Sequence, residues 1–273
     1  MWKLHLRRQS QQLTKMSKIF FFDFDGTLYS HAKKKVSDSV QAALHCLRRD
    51  GHIVIFASGR GEESEAFILH ETGFVPDYFI LMNGQLIKQG DVCLFENFAE
   101  PRQMNAMMDF AEENGFCYGG YAAGGMVVNA VNERVQTVWQ DFGQEIPKIV
   151  PHFQQTIPLY QGQLYITEAE APLFADYMND YVVNWSHPFL VNMIPKEAGK
   201  SQAIRWCLQH LHASREDTFA FGDGFNDADM LKAVGHGIAM DNATDKLKAE
   251  AEYVTASVDE DGVVKALEHY GVL

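Results

Sequence analysis

Ile19–Phe22 is a continuous apolar run that ends at once in acid and glycine, the pattern of a short strand buried on both faces of a parallel sheet. Ile53–Ala57 and Tyr78–Leu81 repeat that pattern. Between the first two, Ser37 stands as an N-cap before Val40, Ala43, Leu44 and Leu47 at helical spacing, Arg48 and Arg49 fill the last turn, and Gly51 is the stop. Glu62–Glu71, closed by Gly73, predicts a second helix. Strands alternating with helices predict an α/β fold built on a doubly wound parallel sheet.

The rhythm changes at Asn83-Gly84. Gln85–Lys88 and Val92–Phe95 flank Gln89-Gly90-Asp91 as a hairpin, and Pro101–Glu113 carries Met104, Met107, Met108 and Ala111 on one helical face. Short strands are expected near 116–121, 126–129 and 164–167, and a helix near 172–179. Hairpins with helices predict an inserted α+β unit at about 83–188. The alternation of helix and strand then resumes from Ser201 to Tyr270. The core is therefore expected at 16–82 plus 189–273, with residues 1–15 an extension outside the fold.

Composition narrows the function classes. With 23 basic and 36 acidic residues the net charge is −13, which opposes binding to phosphate backbones and makes nucleic acid a poor partner. A hydrophobic fraction of 47% excludes a disordered chain. No apolar stretch reaches the ~18 residues of a membrane span, and the start has no apolar leader core, so no membrane partner and a cytoplasmic setting are expected. Cys46, Cys93, Cys117 and Cys207 lack Cys-x-x-Cys spacing and read as reduced packing residues.

Three strand ends carry the polar chemistry: Asp23-Phe24-Asp25-Gly26-Thr27-Leu28, Ser58-Gly59-Arg60 and Gly222-Asp223-Gly224-Phe225-Asn226-Asp227. In open α/β sheets, ligands bind beyond the carboxyl ends of the strands. Asp23, Asp25, Asp223 and Asp227 would crowd there, and like charges ~4 Å apart repel by ~4 kcal/mol at an effective dielectric of 20. Such a cluster needs a cation, and donors that are all oxygen favour Mg²⁺. A Mg²⁺ site beside a free carboxylate and a lysine suits phosphoryl transfer. Lys200, opening the returning helix, is the best-placed lysine. Gly199-Lys200-Ser201 mimics the end of a P-loop, but Ile194 stands where that motif needs glycine. Arg60 reads as a surface ion-pair partner, and His31 and His187 as surface or packing residues.

The ordered set Asp23-x-Asp25-Gly-Thr-Leu, Ser58-Gly-Arg, Lys200 and Gly222-Asp-Gly-x-Asn226-Asp227 resembles the haloacid dehalogenase superfamily of phosphotransferases, with a Rossmann-like core. Gly237-Ile-Ala-Met-Asp-Asn-Ala243 and Asp259-Glu-Asp-Gly-Val263 look like its Cof-type branch, whose cap is inserted where the insert falls here. The resemblance implies that Asp23 forms an aspartyl-phosphate and that Asp25 protonates the leaving group, then activates water. Thr27, Ser58, Lys200 and Asn226 would hold the phosphoryl group. Mg²⁺ would be held by Asp23, the main-chain carbonyl of Asp25 and Asp223, with Asp227 beside them. Ser201 departs from the glycine usual after the branch's lysine, which keeps Lys196 as a second candidate for that role. The implied activity is Mg²⁺-dependent hydrolysis of a small phosphomonoester such as a sugar phosphate. A phosphomutase using the same intermediate and a non-catalytic phosphate-binding module are the alternatives.

Overall fold

The computed structural model describes residues 17–273, so the extension expected at 1–15 lies outside the described residues. An eight-stranded sheet runs in the order Tyr253–Val254, His236–Ala239, Thr218–Gly222, Ile19–Phe22, Ile53–Ala57, Tyr78–Leu81, Leu86–Gln89, Val92–Glu96. The first six strands are parallel and the last two antiparallel. Alternate residues of the central strand feed two cores, which is why the run is apolar throughout. Phe20 and Phe22 stack on Phe219 and Phe221 with ring centroids 4.9 and 4.8 Å apart. On the other face, Ile19 and Phe21 join Ala203, Ile204 and Cys207 of helix Lys200–Leu211.

Helix Asp38–Arg49 begins where the N-cap predicts: Ser37 Oγ accepts from Val40 N, and Val40, Ala43, Leu44 and Leu47 are buried. The segment 62–71 divides into a 3₁₀ turn Glu62–Ser64 and a helix Glu65–Thr72, and Glu62 and Glu65 both reach Lys88 Nζ, at 2.9 and 2.7 Å. No helix among the described residues is long and apolar enough to cross a membrane, and all four cysteines are free thiols.

A second, six-stranded sheet runs Lys148–Ile149, Gly125–Val128, Tyr118–Ala122, Leu159–Leu164, Leu190–Pro195, Tyr181–His187. Helix Pro101–Glu113 packs on one face through Met104, Met107, Met108 and Ala111. Helix Glu133–Asp141, which the apolar pattern does not mark, is held by its Asn132 cap and by burial of Val135, Val138 and Trp139.

Sheet membership departs from the pattern at both ends of the insert. The hairpin Leu86–Gln89/Val92–Glu96 pairs with Tyr78–Leu81 and extends the large sheet, although the reading from sequence groups it with 83–188. Leu190–Pro195, grouped with the returning core, pairs with Leu159–Leu164 and Tyr181–His187 in the small sheet. An open strand edge recruits whichever neighbour satisfies its backbone groups, and local composition does not encode that choice.

The junction between the sheets is tight. Met82, Asn83 and Gly84 have positive φ of 50°, 54° and 96°, and a side chain on Gly84 would collide with the Gly199 carbonyl. The next residue, Gln85, is buried; its Nε2 donates to the carbonyls of Asn97 and Tyr160 at 3.0 and 2.7 Å, and its Oε1 accepts from Gln161 Nε2 at 3.2 Å. Replacing Gln85 with Leu strips partners from buried groups at about 1–3 kcal/mol each. The Gln85→Leu protein is expected to melt roughly 5 °C lower in a thermal unfolding scan; an unchanged midpoint would show that the amide bridge does not hold the junction.

Candidate active site

The parallel strands Ile19–Phe22, Ile53–Ala57 and Thr218–Gly222 end side by side, and the residues that follow them are Asp23, Ser58 and Asp223. Asp23 N still donates to Phe221 O at 2.9 Å, and Ser58 N to Ile80 O at 2.8 Å, so both side chains leave the sheet from fixed backbone.

Lys200 opens its helix against the same edge and is fully buried. Its Nζ donates to Asp23 Oδ1 at 2.5 Å and to Asp227 Oδ1 at 2.6 Å. Burial opposes the ammonium charge, but the carboxylates of Asp227 and Asp23 outweigh it and hold the lysine pKa above its ordinary value. Asp23 moves upward as well, because burial and the Asp227 charge together exceed the help from Lys200. The other Asp227 oxygen accepts from the backbone N–H groups of Asp223 and Gly224 at 3.0 and 2.8 Å, which ties the loop to the lysine.

Asp223 accepts from Thr27 Oγ1 at 3.0 Å and from Asn242 Nδ2 at 3.1 Å. Burial lifts its carboxyl to about 6, against the hydrogen bond from Thr27. Gly26 beside it has φ +78°, and a Cβ there would collide with the Asp223 carboxylate, so only glycine lets the two loops meet. Carboxylate oxygens of Asp23, Asp223 and Asp227 lie within 4.8 Å of one another. Three carboxylates against one ammonium leave two negative charges uncompensated, and a set made only of oxygen fits a hard divalent cation such as Mg²⁺.

Asp25 stands apart from this triad. Its Oδ2 and Oδ1 accept from Arg60 Nε and Nη2, both at 2.7 Å, and His31 Nε2 lies 3.2 Å from Oδ1. The expectation of Asp25 as a metal ligand therefore rests on its main-chain carbonyl and not on its carboxylate. Arg60, read from sequence as a surface residue, sits at the reaction edge over the rings of Phe24 and Phe67, 5.4 and 5.2 Å from their centroids. The signal for it was its place two residues after Ser58, whose buried Oγ accepts from Arg60 N at 3.1 Å. Asn226 Nδ2 donates to Asn83 Oδ1 at 2.9 Å. Lys196 donates its Nζ to Asn179 O at 2.6 Å, and His187 pairs with Asp141 at 3.1 Å.

A cavity of about 660 Å³ separates this edge from the second sheet, with Asn83, Lys200 and Phe225 on one side and Tyr121, Gln161 and Asn192 on the other. That volume suits a small metabolite. A buried carboxylate paired with a lysine that itself lines the cavity, beside an oxygen triad, is an arrangement suited to phosphoryl transfer.

The family model described as haloacid dehalogenase-like hydrolase matches residues 20–267. A Bacillus subtilis protein named "Putative phosphatase YkrA" is 31% identical over 263 residues, covering 94% of this chain and 99% of the relative. Among solved structures, BT1666 from Bacteroides thetaiotaomicron, described among phosphatases of the HAD superfamily, superposes with a TM-score of 0.83 at 27% identity, covering 96% of this chain and 98% of that one. The HAD subclass IIB sugar phosphatase BT4131 superposes at 0.80 with 28% identity, covering 94% and 100%. Matches of that length in sequence and in fold mean that the chain belongs to the haloacid dehalogenase-like hydrolases, in their Cof-type branch.

Proposed function

We propose that this protein is a Mg²⁺-dependent phosphatase that hydrolyses a sugar phosphate or related small phosphomonoester through an aspartyl-phosphate on Asp23. The observation that carries the reading is the buried Lys200 ammonium shared between Asp23 and Asp227 beside a third carboxylate. Such an arrangement is costly to bury. The sugar part of the reading is supported by likeness to a relative named as a sugar phosphatase and by a cavity wall of neutral amides, Asn83, Gln161 and Asn192.

Asp23, with one oxygen on Lys200, attacks phosphorus through its other oxygen. As that O–P bond forms, the ester O–P bond breaks and the leaving oxygen takes a proton from Asp25. Asp25 then accepts a proton from the water that attacks the phosphoryl group, and the Asp23 carboxylate is released. Thr27, Ser58, Lys200 and Asn226 hold the phosphoryl oxygens. Asp23, Asp223, Asp227 and the Asp25 carbonyl would hold Mg²⁺, which when bound offsets charge on the phosphoryl oxygens.

Phosphate release from hexose phosphates should vanish in chelator and return with Mg²⁺, while Asp23→Ala should lose both turnover and covalent labelling by phosphate. Full turnover in verified metal-free protein would sink the proposal.

The charge imbalance also carries a pH dependence. Folding raises the Asp223 carboxyl to about 6, so below that value the folded protein binds protons that the unfolded chain has released. The stability from this group is fully present below its unfolded pKa and is lost as pH rises through about 6. In chelator, Asp223→Asn should therefore melt above the parent protein at pH 7.5, with the difference shrinking toward pH 4.5. A difference independent of pH would mean that Asp223 ionises without cost.

A further inference from the structure

We infer that Arg60 is the positioning residue for Asp25, fixing the plane and place of the carboxylate that handles the leaving-group proton. The inference rests on the proposed role of Asp25 in proton transfer. Asp25 lies beyond the end of strand Ile19–Phe22 and is about one-third exposed, so packing does not fix its carboxylate. The guanidinium does, with Nε and Nη2 each 2.7 Å from a different oxygen. A two-pronged pair of this kind sets the plane of a carboxylate as well as its place, which a lysine cannot do.

Arg60 is itself held rigidly. Its N–H donates to Ser58 Oγ, its carbonyl accepts from Met82 N at 2.9 Å, and its head lies over Phe24 and Phe67. An ionised carboxylate offers about four lone-pair positions. Arg60 occupies one on each oxygen and leaves a second free on each for proton transfer, with His31 Nε2 3.2 Å from Oδ1. When the ester O–P bond breaks, the departing oxygen keeps the electron pair and takes the proton from the Asp25 carboxyl; in the second half, the Asp25 carboxylate receives the proton of the attacking water.

An aryl ester separates this role from a structural one, because p-nitrophenolate leaves without a proton whereas a sugar alkoxide does not. Steady-state kcat/KM reports only the steps through formation of the phosphoenzyme, where the leaving group departs. Its ratio between two substrates cancels any difference in folded enzyme concentration. Arg60→Met, which keeps apolar bulk over the two rings, should lower kcat/KM on a hexose 6-phosphate about 100-fold and on p-nitrophenyl phosphate less than about tenfold. Arg60→Lys should not rescue it. In an Asp25→Asn background, Arg60→Met should cost no more than about twofold on the hexose ester.

Equal losses on the two esters, or an undiminished loss in the Asp25→Asn background, would overturn the assignment of Arg60. If Asp25→Asn alone fell equally on both esters, the proton-transfer role of Asp25 would fail first and the assignment of Arg60 with it.

Discussion

An ammonium group with no exposed surface holds the reaction edge together: Lys200 lies between Asp23 and Asp227, and each of the three would be costly to bury alone. Their mutual attraction offsets a desolvation penalty of several kcal/mol per ion, and removing one partner of such a group typically costs about 3–5 kcal/mol. The strand end that bears Asp23, the helix that begins at Lys200 and the loop 223–227 are therefore interdependent. Asp227 transmits that constraint, since its second oxygen fixes the backbone of Asp223 and Gly224. Asp223 in turn accepts from Thr27, so the loop after the first strand closes the ring.

Two acids two residues apart thus live in different electrostatic settings. Asp23 is buried against a lysine, while Asp25 is partly exposed and held by a guanidinium. Environment divides the labour between chemically identical side chains. In the proposed mechanism the buried one bonds to phosphorus and the other moves protons.

Much of the core was legible in the sequence because its strands are covered on both faces, so a continuous apolar run is a local signature of a central parallel strand. The helix at Asp38–Arg49 was legible for a similar reason, since its cap and its buried stripe are both encoded within the segment. The convergence of Asp23, Ser58 and Asp223 followed from the rule that parallel strands deliver their carboxyl ends to one edge. Side-chain direction past a strand end was not legible. The strand ends at Phe22, and beyond it the Asp25 carboxylate turns to Arg60. Arg60 was missed because its partner comes from another loop. The sheet membership of 86–96 and 190–195 was missed because edges, unlike helix faces, are assigned by competition among distant segments.

The contact between Gly84 and Gly199 has a topological consequence. At Gly84, where the chain leaves the parallel strands, and at Gly199, where it rejoins them, the two backbones touch too closely for any side chain. To the six parallel strands of the large sheet, everything between those points, the edge hairpin Leu86–Gln89/Val92–Glu96 and the second sheet together, counts as one closed loop whose ends are already pinned. Closure entropy grows only with the logarithm of loop length, so doubling such an excursion costs about 0.6 kcal/mol. The pinned pair therefore acts as a grafting point, at which one folded unit with adjacent termini can replace another while the register of the six parallel strands stays as it was.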